Sequence, residues 1–152
     1  MNSTPRIGVV GAGSLGYHHI RILRETANVQ FTGFAETNAE RAAKVREELG
    51  TQSMPLDDLI EASDALTIVV PTPLHHEVAK AALTRGKHVF IEKPITVTLE
   101  QADELLHLAE RNGCIIQIGH VERFNQAVRA ALPYISDARF IESERLAGFN
   151  PR

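Results

Sequence analysis

Residues 7–16, Ile-Gly-Val-Val-Gly-Ala-Gly-Ser-Leu-Gly, constrain this chain more than any other stretch. Ile7 to Val10 is a short apolar run that reads as a buried parallel strand, and a helical pattern begins as soon as the glycines end. Gly11 permits a tight turn, Gly13 lets a ligand come close to the backbone, and Gly16 lets helix and strand approach each other. The free N–H groups at Ser14 and Leu15 lie at the positive end of the helix dipole and favour an anion. Any tight turn from strand to helix collects glycines, so a second feature is needed. Val29 to Ala35 supplies it: a further apolar run that ends in Glu36, twenty positions after Gly16. A carboxylate at that distance accepts hydrogen bonds from ribose hydroxyls, and the set reads as a cradle for a dinucleotide.

The rest of the chain fits a strand–helix alternation. Leu15 to Thr26 reads as a helix with Leu15, His19, Ile22 and Leu23 on one face. Asn38 caps a helix over 39–49, and Gly50 ends it. A short helix spans 56–62. Ala65 to Val70 is a continuous apolar run, a strand buried on both faces and stopped at Pro71. A helix from His75 to Leu83, a strand at 88–91, a capping box at Thr98-Leu99-Glu100-Gln101 opening a helix to Arg111, and a strand at 115–118 follow. This alternation predicts an α/β fold, a Rossmann-type doubly wound parallel sheet. The last thirty residues differ. A helix over 124–132 and a charged strand over 138–146 read as the start of a second α/β domain, giving domains at 1–120 and 121–152.

Composition excludes several classes. A net charge of −3 over 152 residues gives no purchase for nucleic acid or an anionic membrane. No apolar run approaches the length of a membrane span, and the first residues do not read as a signal peptide, so a cytoplasmic location is expected. The one cysteine, Cys114, reads as a small core residue. His18-His19 and His75-His76 are adjacent pairs whose side chains diverge on a helix, without carboxylates at ligand spacing, so no metal site is expected.

Several further motifs keep a recognisable order: Thr72-Pro73 with His75, Gly86-Lys87-His88-Val89, Glu92-Lys93-Pro94, and Gly119-His120 followed by Arg123-Phe124. With the glycine loop, this set resembles the Gfo/Idh/MocA oxidoreductases across essentially the whole chain. The resemblance implies an N-terminal dinucleotide-binding domain and a C-terminal domain whose open sheet binds substrate and makes oligomer contacts. It implies a homo-oligomer for a full-length protein. An Asp and a His that family members take from the second domain would lie beyond Arg152. By the same resemblance Lys93 is the catalytic residue, set against nicotinamide ribose and the substrate hydroxyl. Glu92 orients Lys93 or touches the cofactor, and Thr72, His75, His120 and Arg123 lie near the cofactor. His19 matches a recurrent position on the first helix and packs near the loop, and Pro94 follows a cis peptide bond. Gln126 stands where relatives often carry proline, a departure that bears on the helix start.

The residues themselves leave alternatives. Lys93 also reads as a surface lysine paired with Glu92. Glu36 favours NAD over NADP, because a carboxylate repels a 2′-phosphate, whereas Arg41 one turn into the next helix could swing toward such a phosphate. The implied activity is hydride transfer between nicotinamide and a secondary alcohol of a sugar, nucleotide sugar or cyclitol. The competing class is a non-catalytic NAD-binding sensor of the same fold.

Overall fold

The computed structural model describes residues 4–135, 137–142 and 144. The chain divides into two compact units, Met1–Gly119 and His120–Arg152.

The first unit is built on one parallel sheet. Its strands are β1 (Arg6–Val10), β2 (Gln30–Ala35), β3 (Ala65–Ile68), β4 (His88–Ile91) and β5 (Ile116–Ile118), in the order β2-β1-β3-β4-β5. The chain therefore steps from β1 to β2 on one side, then returns past β1 to lay β3, β4 and β5 on the other. Ligands of such sheets bind at this reversal, at the carboxyl ends of the strands. Helices α1 (Ser14–Glu25), α2 (Ala39–Leu49), α3 (Leu56–Ala62), α4 (His75–Thr84) and α5 (Leu99–Asn112) make the crossovers.

Strand alternation places the core on both faces of the sheet. Val9 and Phe34 join Ile20, Ala42, Val45 and Leu49 in the core under α1 and α2. Their neighbours Val10 and Ala35 join Leu59, Ile68, Leu83 and Leu105 in the core under α3, α4 and α5. Successive strand residues point to opposite faces, so a strand covered on both sides must be apolar throughout. That is the physical origin of the unbroken runs in the sequence.

The helix ends follow their caps. The Asn38 side chain accepts from the Arg41 N–H, and Gly50 closes α2 at φ 55°. Thr98 and Gln101 form both halves of the expected capping box at the start of α5. Some expectations change. The buried side of α1 runs through Gly16 and Ile20, while Leu15 and Ile22 are half-exposed; the contact with the sheet is set by where a residue without a side chain can approach. β3 ends at Ile68 rather than Val70, because the backbone there turns past the glycine loop. A Cβ on Gly11, whose φ is +94°, would lie 2.6 Å from the Val69 carbonyl oxygen. The strand expected over 138–146 is not formed among described residues 138–142 and 144; 143, 145 and 146 lie outside the described residues.

The second unit holds a 3-10 turn at Val121–Phe124, the short helix α6 (Gln126–Ala131) and a 3-10 turn at Leu132–Tyr134. The helix is shorter than the expected 124–132, since Asn125 is extended and its side chain accepts from the Ala127 N–H to open α6.

Candidate functional site

The site forms where β1 turns into α1. The first backbone bond of α1 runs from the Tyr17 N–H to the Gly13 carbonyl at 2.8 Å. The N–H groups of Ser14, Leu15 and Gly16 consequently have no acceptor within the helix. No side chain caps this end and no acid stands in the first turn. A Cβ on Gly13 would meet no protein atom within 4 Å, so the backbone there fronts open space, whereas one on Gly16 would collide with the Gly11 carbonyl. Ser14 and Leu15 are exposed beside it. A bare turn of N–H donors at a helix N-terminus suits a phosphate.

Glu36, one residue past β2, closes the loop from the side. Its Oε2 accepts the Ala12 N–H at 2.9 Å and its Oε1 accepts the Asn38 N–H at 2.8 Å. Arg41 donates to Oε2 at 3.2 Å, and the Glu36 side chain is only 5% exposed. Burial pushes this carboxyl up, but the Asn38 and Ala12 N–H groups and the Arg41 guanidinium together bring it below the ordinary carboxylate range. An open cleft of about 360 Å³ separates the loop from α2, with Gly13, Ser14 and His18 on one wall and Arg41 and Lys44 on the other.

The turn after β4 carries the second group. Glu92 is buried and its Oε1 lies 3.2 Å from His19 Nε2 on α1. Lys93 is exposed, and the side chain paired with Glu92 is His19 rather than Lys93. The Lys93–Pro94 bond is cis. Thr72 is half-buried in a 3-10 turn after β3. His75 is 1% exposed, its Nδ1 2.8 Å from the Pro94 carbonyl oxygen and its Nε2 2.9 Å from that of Val70. With both nitrogens on the chain, His75 has no surface for the ligand contact the resemblance implied; its contribution is to hold the loops after β3 and β4 together. His120 and Arg123 are exposed residues of the second unit.

Sequence reasoning placed His19 near the loop but did not pair it with Glu92, seventy-three residues away. It also missed that Glu36 braces Ala12. Cys114 is partly buried, which pushes its thiol up. Among the described residues no cluster of three or more acidic, histidine or cysteine side chains could hold a metal ion, and no helix is long and apolar enough to cross a membrane.

Residues 5–120 match the profile of the Gfo/Idh/MocA family, described as an oxidoreductase family with an NAD-binding Rossmann fold. The chain belongs to the Gfo/Idh/MocA family. Among its Gfo/Idh/MocA relatives, UDP-N-acetylglucosamine 3-dehydrogenase of Acidithiobacillus ferrooxidans is 40% identical, over 97% of this chain and 47% of that protein. A crystal form of that enzyme superposes with a TM-score of 0.80 at 37% identity, covering 88% of this chain and 42% of the other. A biliverdin reductase from a Synechocystis species, in complex with biliverdin and NADP+, gives 0.79 at 28% identity, covering 88% and 44%. Scyllo-inositol dehydrogenase from Lactobacillus casei, with bound NAD(H) and scyllo-inositol, gives 0.77 at 28% identity, covering 87% and 41%. The chain spans about half the length of the curated relatives it matches.

Proposed function

We propose that this Gfo/Idh/MocA chain is the nucleotide-binding part of an NAD-dependent oxidoreductase that acts on a secondary alcohol of a sugar, nucleotide sugar or cyclitol. The observation that carries the reading is the bare helix start beside Glu36: unpaired N–H donors at Ser14 and Leu15, open space at Gly13, and a carboxylate braced one strand away. These residues fit a dinucleotide. The N–H groups would take the pyrophosphate and Glu36 the adenosine ribose hydroxyls. Bound nicotinamide would supply the hydride chemistry at the alcohol carbon, the hydroxyl proton passing to a base or to solvent as the carbonyl forms and both returning in the reverse direction. Lys93, exposed past the end of β4, would hold positive charge against the substrate oxygen as its bond order changes. Residues 121–152 are read as the start of a substrate and oligomerisation domain, and the full-length protein as a cytoplasmic homo-oligomer.

Cofactor choice follows from Glu36. Its carboxylate repels a 2′-phosphate, and Arg41 is engaged by Glu36, so NAD is preferred over NADP. Titration calorimetry of the 152-residue chain tests this. NAD binds more tightly than NADP, and Glu36→Ala weakens NAD about tenfold by removing the hydrogen bonds to ribose. A folded chain that binds neither nucleotide would refute the reading.

A further inference from the structure

We infer that His19 is a positioning residue: its Nε2 fixes the buried Glu92 carboxylate at the end of β4, so that Glu92 and the adjoining Lys93 meet the nicotinamide half of a bound dinucleotide. The inference rests on the proposed dinucleotide site and deepens it. Glu92 is 8% exposed, an environment in which a carboxylate needs partners. Among the described residues, the side chain that reaches it is His19, at 3.2 Å from Oε1. A carboxylate only accepts, so Nε2 carries the hydrogen and donates. The imidazole is itself held, its ring 5.7 Å from that of Phe90 on β4. The carboxylate also abuts Gly119, just past β5, where a Cβ would come within 2.9 Å of Oε1 and 3.0 Å of Oε2. Gly119 is tied to β4 through its N–H on the Ile91 carbonyl, at 2.9 Å. Glu92 is thus clamped between α1 and the end of β5, and its freedom is removed before any ligand arrives.

Topology says which part of the ligand it meets. Glu36 follows β2 and the glycine loop follows β1, so the adenosine half and the phosphates occupy that side. A dinucleotide continuing away from β2 crosses the ends of β3 and β4, the latter two strand spacings or roughly 10 Å from β1. Glu92 and Lys93 stand there. α1 therefore serves both halves: its N-terminus faces the phosphates, and its second turn sets Glu92.

The test compares NAD with AMP, which reaches only the adenosine half, by calorimetry on the 152-residue chain. His19→Leu keeps the packing on Phe90 but removes the donor, and is expected to raise the Kd for NAD about tenfold while leaving that for AMP within about twofold. His19→Gln, with an amide nitrogen the same number of bonds from the backbone, restores NAD binding. Gly119→Ala crowds the same carboxylate and reproduces the NAD-selective loss, even where the leucine variant does not fold. Equal weakening of NAD and AMP, no weakening in either variant, or no rescue by glutamine overturns the inference and leaves the proposed function standing. Wild-type chain that is folded but binds neither ligand overturns the reading beneath it, and this inference with it.

Discussion

Glu36 shows how one side chain can organise a loop. Its two oxygens hold the Ala12 and Asn38 N–H groups, which joins the turn after β1 to the start of α2. The carboxylate is therefore part of the protein's own hydrogen bonding, and under the proposed function it is also the group that would meet ribose. Glu36→Gln separates the roles. The amide keeps the shape but replaces one acceptor with a donor, which must face either an N–H or the Arg41 guanidinium, and it removes the charge that repels a 2′-phosphate. The ratio of NAD to NADP affinity should fall about tenfold, as read by titration of both nucleotides. An unchanged ratio would mean that Glu36 acts only as a brace.

At the scale of elements, the two ends of the sheet differ. The carboxyl ends of β1, β2 and β4 carry the candidate site. The opposite ends are pinned by Asp64, which accepts from the Arg6 backbone N–H at 2.9 Å and from its guanidinium at 2.7 Å. The Asp64 backbone carbonyl takes the His88 N–H, so one residue ties the starts of β1, β3 and β4. The Arg6 side chain, with its backbone N–H, lowers the Asp64 carboxyl from 3.8 to about 2. A carboxyl lowered by folding stabilises the protein above its unfolded pKa and loses that contribution as pH falls through the folded value. The stability difference between wild type and Asp64→Asn should hold level at neutral pH and vanish between pH 3.8 and about 2. Both partners are more than a third exposed, so solvent screening keeps the difference small. Denaturant titrations across that range measure it. The strands, the caps at Asn38, Thr98 and Gly50, and the glycine loop were legible because each is written in local spacing. His19 with Glu92, and His75 with the Pro94 and Val70 carbonyls, were not, because those pairs are made only when distant loops meet at the end of the sheet. On α1 the expected face keeps Leu23 but loses Leu15 and Ile22 for a related reason: spacing counts side chains, and Gly16 has none to count.

Over the whole first unit, one sheet is shared by two cores. Ile20 lies in the core under α1 and α2, and Leu105 in the core under α4 and α5; both are fully buried. Ile20→Ala and Leu105→Ala should each cost about 2–5 kcal/mol. Both should shift one common unfolding transition, since neither core can melt without the strands between them. Circular dichroism and nucleotide binding followed through the same denaturant series check this, and two separated transitions would show that the layers unfold independently.

Val9 and Val10 carry a consequence for how such chains can diverge. Neighbours in one strand serve different cores, so the number of residues in β1 is fixed, and at Gly8 so is the residue, since a Cβ there would lie 2.7 Å from Leu59. One residue more or fewer before Gly11 would exchange the two sets of side chains and turn the glycine loop away from its helix. Changes of length are expected in a connection such as 85–87 rather than in the first strand.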